Sequence, residues 1–260
     1  MLRESRLEVV DQELLDELDS FVENRNLLFA VTRGGLPHPG DTYPAPLSEG
    51  SWEAEWFVDA PPDPYQIQGQ VFVDGSCSKH VIKDLCRAAW ACSVFSNGER
   101  QCEMRCPVHA PLPQSPQCAE FSGFTGAAMC LVGPSALHSD CLNVIKQFNA
   151  PPEQQADFKR VYAGHTLQAK HDDGAKHITD VIKVKAQQSL SDPDLSEEER
   201  FVRIGNDCAD EGAKQAVLLH PSDEAQLEVI NKQVKVVAAF CKLAMKLIPQ
   251  FPSLKEEGEV

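Results

Sequence analysis

The chain has 260 residues, 42% of them hydrophobic, and a formal net charge of −15 at pH 7. That length allows one large domain, or a medium domain with substantial flanks, around a sizeable core. No run approaches the ~18 apolar residues of a membrane span, and residues 1–6 are not followed by an apolar signal-peptide core, so the expectation is an intracellular protein (nucleus or cytoplasm), not secreted and without a membrane partner.

The acidity is uneven. Residues 1–70 carry 14 Asp and Glu against 4 Lys and Arg, whereas residues 71–218 carry 19 against 15. The first segment is therefore a poor polyanion binder, since phosphate contacts need Lys and Arg, and the central segment is nearly balanced. All ten Cys lie between Cys77 and Cys241, and without a secretory signal they read as free thiols. Cys102, Cys106, His109 and Cys118 do not pair into the two short ligand couples of a structural zinc site. They read better as small buried hydrophobes.

In chain order, residues 5–25 place Leu7, Val10, Leu14, Leu18 and Phe21 on one side of an amphipathic helix. Residues 33–64 are rich in Pro and Gly and read as an extended linker, with Trp52, Trp56 and Phe57 available to pin it to the next domain. The expected division is an acidic helical extension (1–32), a linker (33–67), an α/β domain (68–218) and a C-terminal helix with tail (219–260). Residues 68–74 form the first strand, a β-branched and aromatic run that carries Asp74 to its end. Residues 87–95 and 101–108 pair as a hairpin about Asn97-Gly98. A buried helix follows over 118–132, closed by Gly133-Pro134. Then come a short strand (136–140), a helix (141–148), helical residues 152–170 and a strand (179–186). Residues 190–203 read as a polar loop before a helix over 207–219. The result is a mixed five-stranded sheet flanked by helices. Residues 223–248 form a long helix whose seam (Leu227, Ile230, Val234, Val237, Cys241, Ala244, Ile248) either packs within the chain or mediates self-association.

Four carboxylates fall at element ends or on inward helical faces. Asp74 ends the first strand, Glu120 lies in the first turn of the first helix, Asp140 ends the fourth strand, and Asp210 sits on the helix opened by Gly205-Asn206-Asp207-Cys208-Ala209-Asp210. If the first and fourth strands are neighbours, Asp74 and Asp140 leave the same sheet edge and the two helices bring the others. Four carboxylates in a partly buried site repel one another. Divalent cations relieve that repulsion, and an all-oxygen set suits Mg²⁺ or Mn²⁺ rather than zinc. Two such ions about 4 Å apart make a phosphodiester-cleaving site.

These residues resemble the type 1 ribonuclease H domain, including the domains attached to retroelement reverse transcriptases. The resemblance covers roughly residues 68–218 and rests on Val73-Asp74-Gly75-Ser76, Ala119-Glu120, Ser139-Asp140 and Gly205-Asn206-Asp207-Cys208-Ala209-Asp210-Glu211-Gly212-Ala213-Lys214. The last stretch is the most specific, and it marks Asp210 rather than Asp207 as the fourth ligand. Exonuclease relatives open with Asp-x-Glu, where this chain has Ser76, and integrase-like relatives place the Glu last, where Glu120 comes second.

The resemblance implies an RNase H-like fold and cleavage of the RNA strand of an RNA–DNA hybrid, leaving 3′-hydroxyl and 5′-phosphate ends. It implies two Mg²⁺ (or Mn²⁺) on Asp74, Glu120, Asp140 and Asp210, and substrate contacts from Ser76, Asn206 and Gln187. The implied partners are the hybrid and a fused or associated reverse transcriptase or nucleic-acid-binding module. Three departures stand out: Gln187 occupies the place of the family's His, residues 77–84 replace a Gly-rich link, and no basic protrusion is evident around 150–175. They leave open a second reading, a catalytically weakened or inactive RNase H-like module, a retroelement remnant that binds nucleic acid or protein. Gln cannot take up a proton near neutral pH as His can. A Gln187→His variant should therefore turn over hybrid substrate faster than the natural chain in a steady-state assay; an unchanged rate would remove Gln187 from the site.

Overall fold

The computed structural model describes residues 43–48, 51–155, 157, 159–185 and 195–247. The chain divides into two compact units. One spans Pro44–Ser222; the described part of the other includes the C-terminal helix.

The larger unit is a six-stranded mixed sheet: β1 (Glu53–Trp56), β2 (Ile67–Cys77), β3 (Ala88–Ser96), β4 (Glu99–Pro107), β5 (Leu131–Ser139) and β6 (Ile178–Lys183), in the spatial order β1-β4-β3-β2-β5-β6. Pairing is antiparallel from β1 through β2 and parallel from β2 through β6. β2 is therefore central, hydrogen-bonded on both sides, and its Val71-Phe72-Val73 run is fully buried. The β3–β4 turn is the expected Asn97-Gly98 pair with both φ angles positive (51° and 80°), which matches the strand twist.

Where five strands were expected, β1 supplies a sixth from inside the Pro-rich segment, pairing Glu53–Trp56 with β4. Its aromatic neighbours hold it down. Trp52 lies 4.9 Å from the Trp90 ring, edge-on, and Trp56 Nε1 donates to the Pro64 carbonyl at 3.0 Å. The compact unit accordingly begins before residue 68.

α1 (Pro116–Met129), α2 (Leu142–Phe148), α3 (Pro152–Gln155) and α4 (Ala163–His171) follow. Ser115 caps α1 by accepting from Cys118 N–H, and Pro116 opens it where its missing N–H is not needed. α1 lies on β2 and β3 over a core that includes Val71, Val73, Trp90 and Met104. Gly133-Pro134 does not close this helix: both lie in β5. The β2–β5 ladder shifts between Ile67 and Gly69, and Pro134 sits in that irregular stretch, where a missing N–H breaks no bond. Residues 152–170 form two separate helices rather than one.

α5 (Glu197–Val217) covers the opposite face, packing on β2, β3 and β4. It begins ten residues earlier than expected, within what reads as a polar loop. Ser196 and Glu199 form a complete capping box, and the acids of residues 197–199 suit a helix N-terminus. Phe72 is the centre of this face, surrounded by Phe95, Phe201 and His138. The expected helix at 5–25 lies outside the described residues. α6 (Glu224–Leu247) is present as expected, with Ile230 buried and Cys241 exposed. All ten cysteines are free thiols. Among the described residues, no helix is long and apolar enough to cross a membrane.

Gly205 sets the distance between α5 and the sheet. A Cβ there would lie 2.3–2.5 Å from three carbons of the Phe72 ring, which its aromatic neighbours hold in place. Gly205→Ala should destabilise the unit by about 1–3 kcal/mol. A urea-denaturation midpoint that did not fall would show that α5 is free to move outward.

Candidate active site

The cleft opens where β5 leaves the sheet. The last β2–β5 pair is Val73↔Ser139, so Asp74 is the first β2 residue without a β5 neighbour, and Asp140 is the first residue beyond β5. Asp74 does not end its strand, as the sequence suggested: β2 runs on to Cys77 against β3. Alternation puts Asp74 on the same face as Phe72, two residues back, beneath α5. Asp74 is only 6% exposed.

Glu120 arrives from α1, in its second turn rather than its first. Gly75 makes this approach feasible. A Cβ at position 75 would meet the Glu120 backbone nitrogen at 2.4 Å and the Ala119 carbonyl carbon at 2.7 Å. Carboxylate oxygens of Asp74, Glu120 and Asp140 all lie within 4.8 Å of one another, the one such group of metal-ligating side chains among the described residues.

α5 forms the remaining wall. Gly75, Asn206, Asp207 and Asp210 line a cavity of about 220 Å³ with the three acids. Asn206 is nearly fully buried. Asp207 is a wall residue that the sequence reading set aside; its spacing of three from Asp210 puts it on the same helical stripe. Asp210 stands apart from the group of three, and its Oδ2 accepts from Lys214 Nζ at 2.5 Å. Ser76 is on β2 just beyond the cavity lining, and Gln187 lies outside the described residues. His138 is neutral core rather than a base: burial pushes it down to about 4, its ring stacks 4.3 Å from Phe72, and its Nε2–H donates to Gln70 Oε1 at 2.6 Å.

Burial and mutual repulsion dominate the site's electrostatics. Asp74 is pushed up to about 7, first by burial and then by the charges of Asp140 and Asp210. Glu120 is raised well above the usual carboxylate range by burial, then by Asp74 and Asp140. Burial raises Asp140, opposed by the nearby Lys183 charge. Asp207 is raised by burial and by Asp210. Glu120 Oε2 is buried without a hydrogen-bond partner. An orphaned carboxylate oxygen within a converging all-oxygen donor set fits a hard divalent cation.

The strand order, the mixed pairing and the acidic cleft at the β2–β5 divergence define an RNase H-like α/β fold. No protein-family model matches the chain, and no curated protein matches it. Solved structures do match. An RNase H from the halophilic archaeon Halobacterium salinarum is 13% identical, covering 57% of this chain and 96% of that one, with a TM-score of 0.37. The N-terminal RNase H domain of a Mycobacterium tuberculosis protein is 14% identical over 57% of this chain and 98% of that one, at a TM-score of 0.37. A foamy viral protease-reverse transcriptase in complex with RNA/DNA hybrid is 17% identical over 63% of this chain and 22% of that one, at a TM-score of 0.41.

A carboxyl group whose folded pKa is raised binds more protons folded than unfolded. Its unfavourable contribution therefore grows as pH rises from the unfolded value near 4 and is complete above the folded one. For Asp74 that window runs from about 4 to about 7. In EDTA-treated protein, Asp74→Asn should raise the melting temperature more at pH 8 than at pH 5, and Mn²⁺ should stabilise the natural chain more at pH 8. Equal effects at both pH values would mean that Asp74 is not strained by its neighbours.

Proposed function

We propose that this chain is a divalent-metal-dependent nuclease that cleaves the RNA strand of RNA–DNA hybrids, leaving 3′-hydroxyl and 5′-phosphate ends. The observation that carries this reading is the convergence of Asp74, Glu120 and Asp140, from β2, α1 and the end of β5, on one partly buried point. The Lys214-paired Asp210 on the facing wall adds a fourth acid. Two Mg²⁺ ions, or Mn²⁺, are the proposed occupants. When bound, such ions activate water and stabilise the leaving oxygen of a phosphodiester.

The chain's own residues then act by position. Asp74 is fixed by its pairing with Ala91 of β3, Asp140 follows directly on the last β2–β5 pair, and Glu120 is fixed by the close packing of α1 on Gly75. Rigid elements of this kind hold ligands more precisely than loops do. Asn206 sits in the cavity wall, with an amide that can donate to substrate oxygens. Ser76 and Gln187 are proposed as further substrate contacts. The central segment's charge excess is slightly acidic and supplies no net phosphate affinity of its own. Help from a fused or associated reverse transcriptase or nucleic-acid-binding module is therefore part of the proposal, as are a retroelement origin, an intracellular setting and self-association through α6.

A second reading, a catalytically inactive RNase H-like module, is favoured by one observation: Asp210 is already engaged by Lys214. The two separate in one assay. With an RNA-labelled hybrid and Mg²⁺ or Mn²⁺, the natural chain should release 5′-phosphate fragments. Asp140→Asn should lower the rate on the order of a hundredfold, equivalent to about 2.7 kcal/mol of barrier. Absence of cleavage by the natural chain would leave the inactive module, and full activity in the variant would overturn the assignment of this site.

A further inference from the structure

Asp210 lines the same cavity as the three converging acids, yet it is not gathered with them. Its Oδ2 is instead taken by Lys214 Nζ at 2.5 Å. Asp207, Asp210 and Lys214 are spaced by three and then four residues, so they form one stripe along α5. An acid four residues before a lysine is the favourable order for a helical ion pair. The Lys214 side chain is half exposed and can swing into solvent at little cost.

This ion pair stands at the α5 wall of the cavity. At the other end of the cluster, the Lys183 charge acts on Asp140 without a direct bond, its Nζ donating to the Val184 carbonyl. The protein cations thus stand beside the two outer acids, Asp210 and Asp140, rather than beside Asp74 and Glu120. A divalent ion placed on Asp210 would meet both the occupied Oδ2 and the repulsion of the nearby ammonium.

We propose that Lys214 is a built-in competitor for the second of two divalent cations, engaging Asp210 until an ion displaces it. The proposal rests on the metal-dependent reading above and adds a positioning residue to it. Lys214 sets how tightly, and therefore at what cation concentration, the fourth carboxylate joins the site. The first ion, on Asp74, Glu120 and Asp140, is insensitive to it.

The test is calorimetric titration of the full chain with MnCl₂, which needs no turnover. The natural chain is compared with Lys214→Met, Lys214→Arg and the double variant Lys214→Met/Asp210→Asn. Lys214→Met should leave the first binding step unchanged and tighten the second roughly two- to tenfold, the range expected for removing one exposed competing charge. Lys214→Arg should behave as the natural chain does, and the double variant should lose the second step. A second step that is unchanged or weakened in Lys214→Met would overturn the role of Lys214 while leaving the metal centre intact. So would an arginine variant that behaves like the methionine one. Absence of Mn²⁺ binding in every protein would instead overturn the metal-dependent reading and this proposal with it.

Discussion

Mutual repulsion among partly buried carboxylates is the constraint on which the rest of the structure depends. Two unit charges 4.8 Å apart repel by on the order of 3 kcal/mol at the effective dielectric of a partly buried protein site. Left to themselves, Asp74, Glu120 and Asp140 would separate or protonate; burial raises the proton affinity of all three, and neighbouring acids add to it. What holds them is backbone. Asp74 is locked in a strand paired along its length to β3, Asp140 follows a strand paired on both sides, and Glu120 rides on a capped helix.

The two faces of the sheet contribute differently. The α1 face is broad and mixes aliphatic with aromatic side chains, and the small residues Gly75 and Gly123 let the helix sit directly on β2 and β3. The α5 face is small and aromatic, and its cluster of Phe72, Phe95 and Phe201 forms the floor just behind Asp74. Gly205 and Gly212 bring α5 down onto that floor and onto Ala91 and Glu103. Asn206 follows Gly205 in sequence, so the glycine that seats the helix also places the amide in the cavity wall. Seating and site placement are thus carried by adjacent residues.

Local signals account for what the sequence discloses. The Val71-Phe72-Val73 run, the Asn97-Gly98 turn and the small-residue helix after Pro116 are each specified by neighbouring residues and occur as read. The acids are legible as a group because their order along the chain survives folding, even though Asp74 lies inside its strand and Glu120 one turn further along its helix. What escapes the sequence depends on tertiary context. β1 is a strand only because β4 offers it an edge, and prolines on both sides hide that pairing. Pro134 looks like a helix stop because a ladder irregularity that tolerates it cannot be read locally. The start of α5 was legible in principle: Ser196 and Glu199 form a capping pair, but the run of acids around them reads as loop. The pairing of Asp210 with Lys214 was equally available from their spacing, and the motif's resemblance drew attention to the acid alone.

The same repulsion also governs how a nucleic acid could enter. A phosphodiester approaching Asp74, Glu120, Asp140, Asp207 and Asp210 meets charge of its own sign, and two nearby protein cations are already engaged, Lys214 by Asp210 and Lys183 by the Val184 carbonyl. On the proposed reading, the bare site therefore disfavours its substrate. A bound cation reverses the local field, and a bound phosphate in turn supplies oxygens that complete the cation's shell. Each ligand then raises the affinity of the other, a coupling that linkage requires to be equal in both directions. A chain with a net charge of −15 has no basic surplus to draw on, so hybrid affinity must come from this coupling or from a partner module. The acidic excess of the cleft is thus an argument for cation dependence that stands apart from any likeness to other proteins.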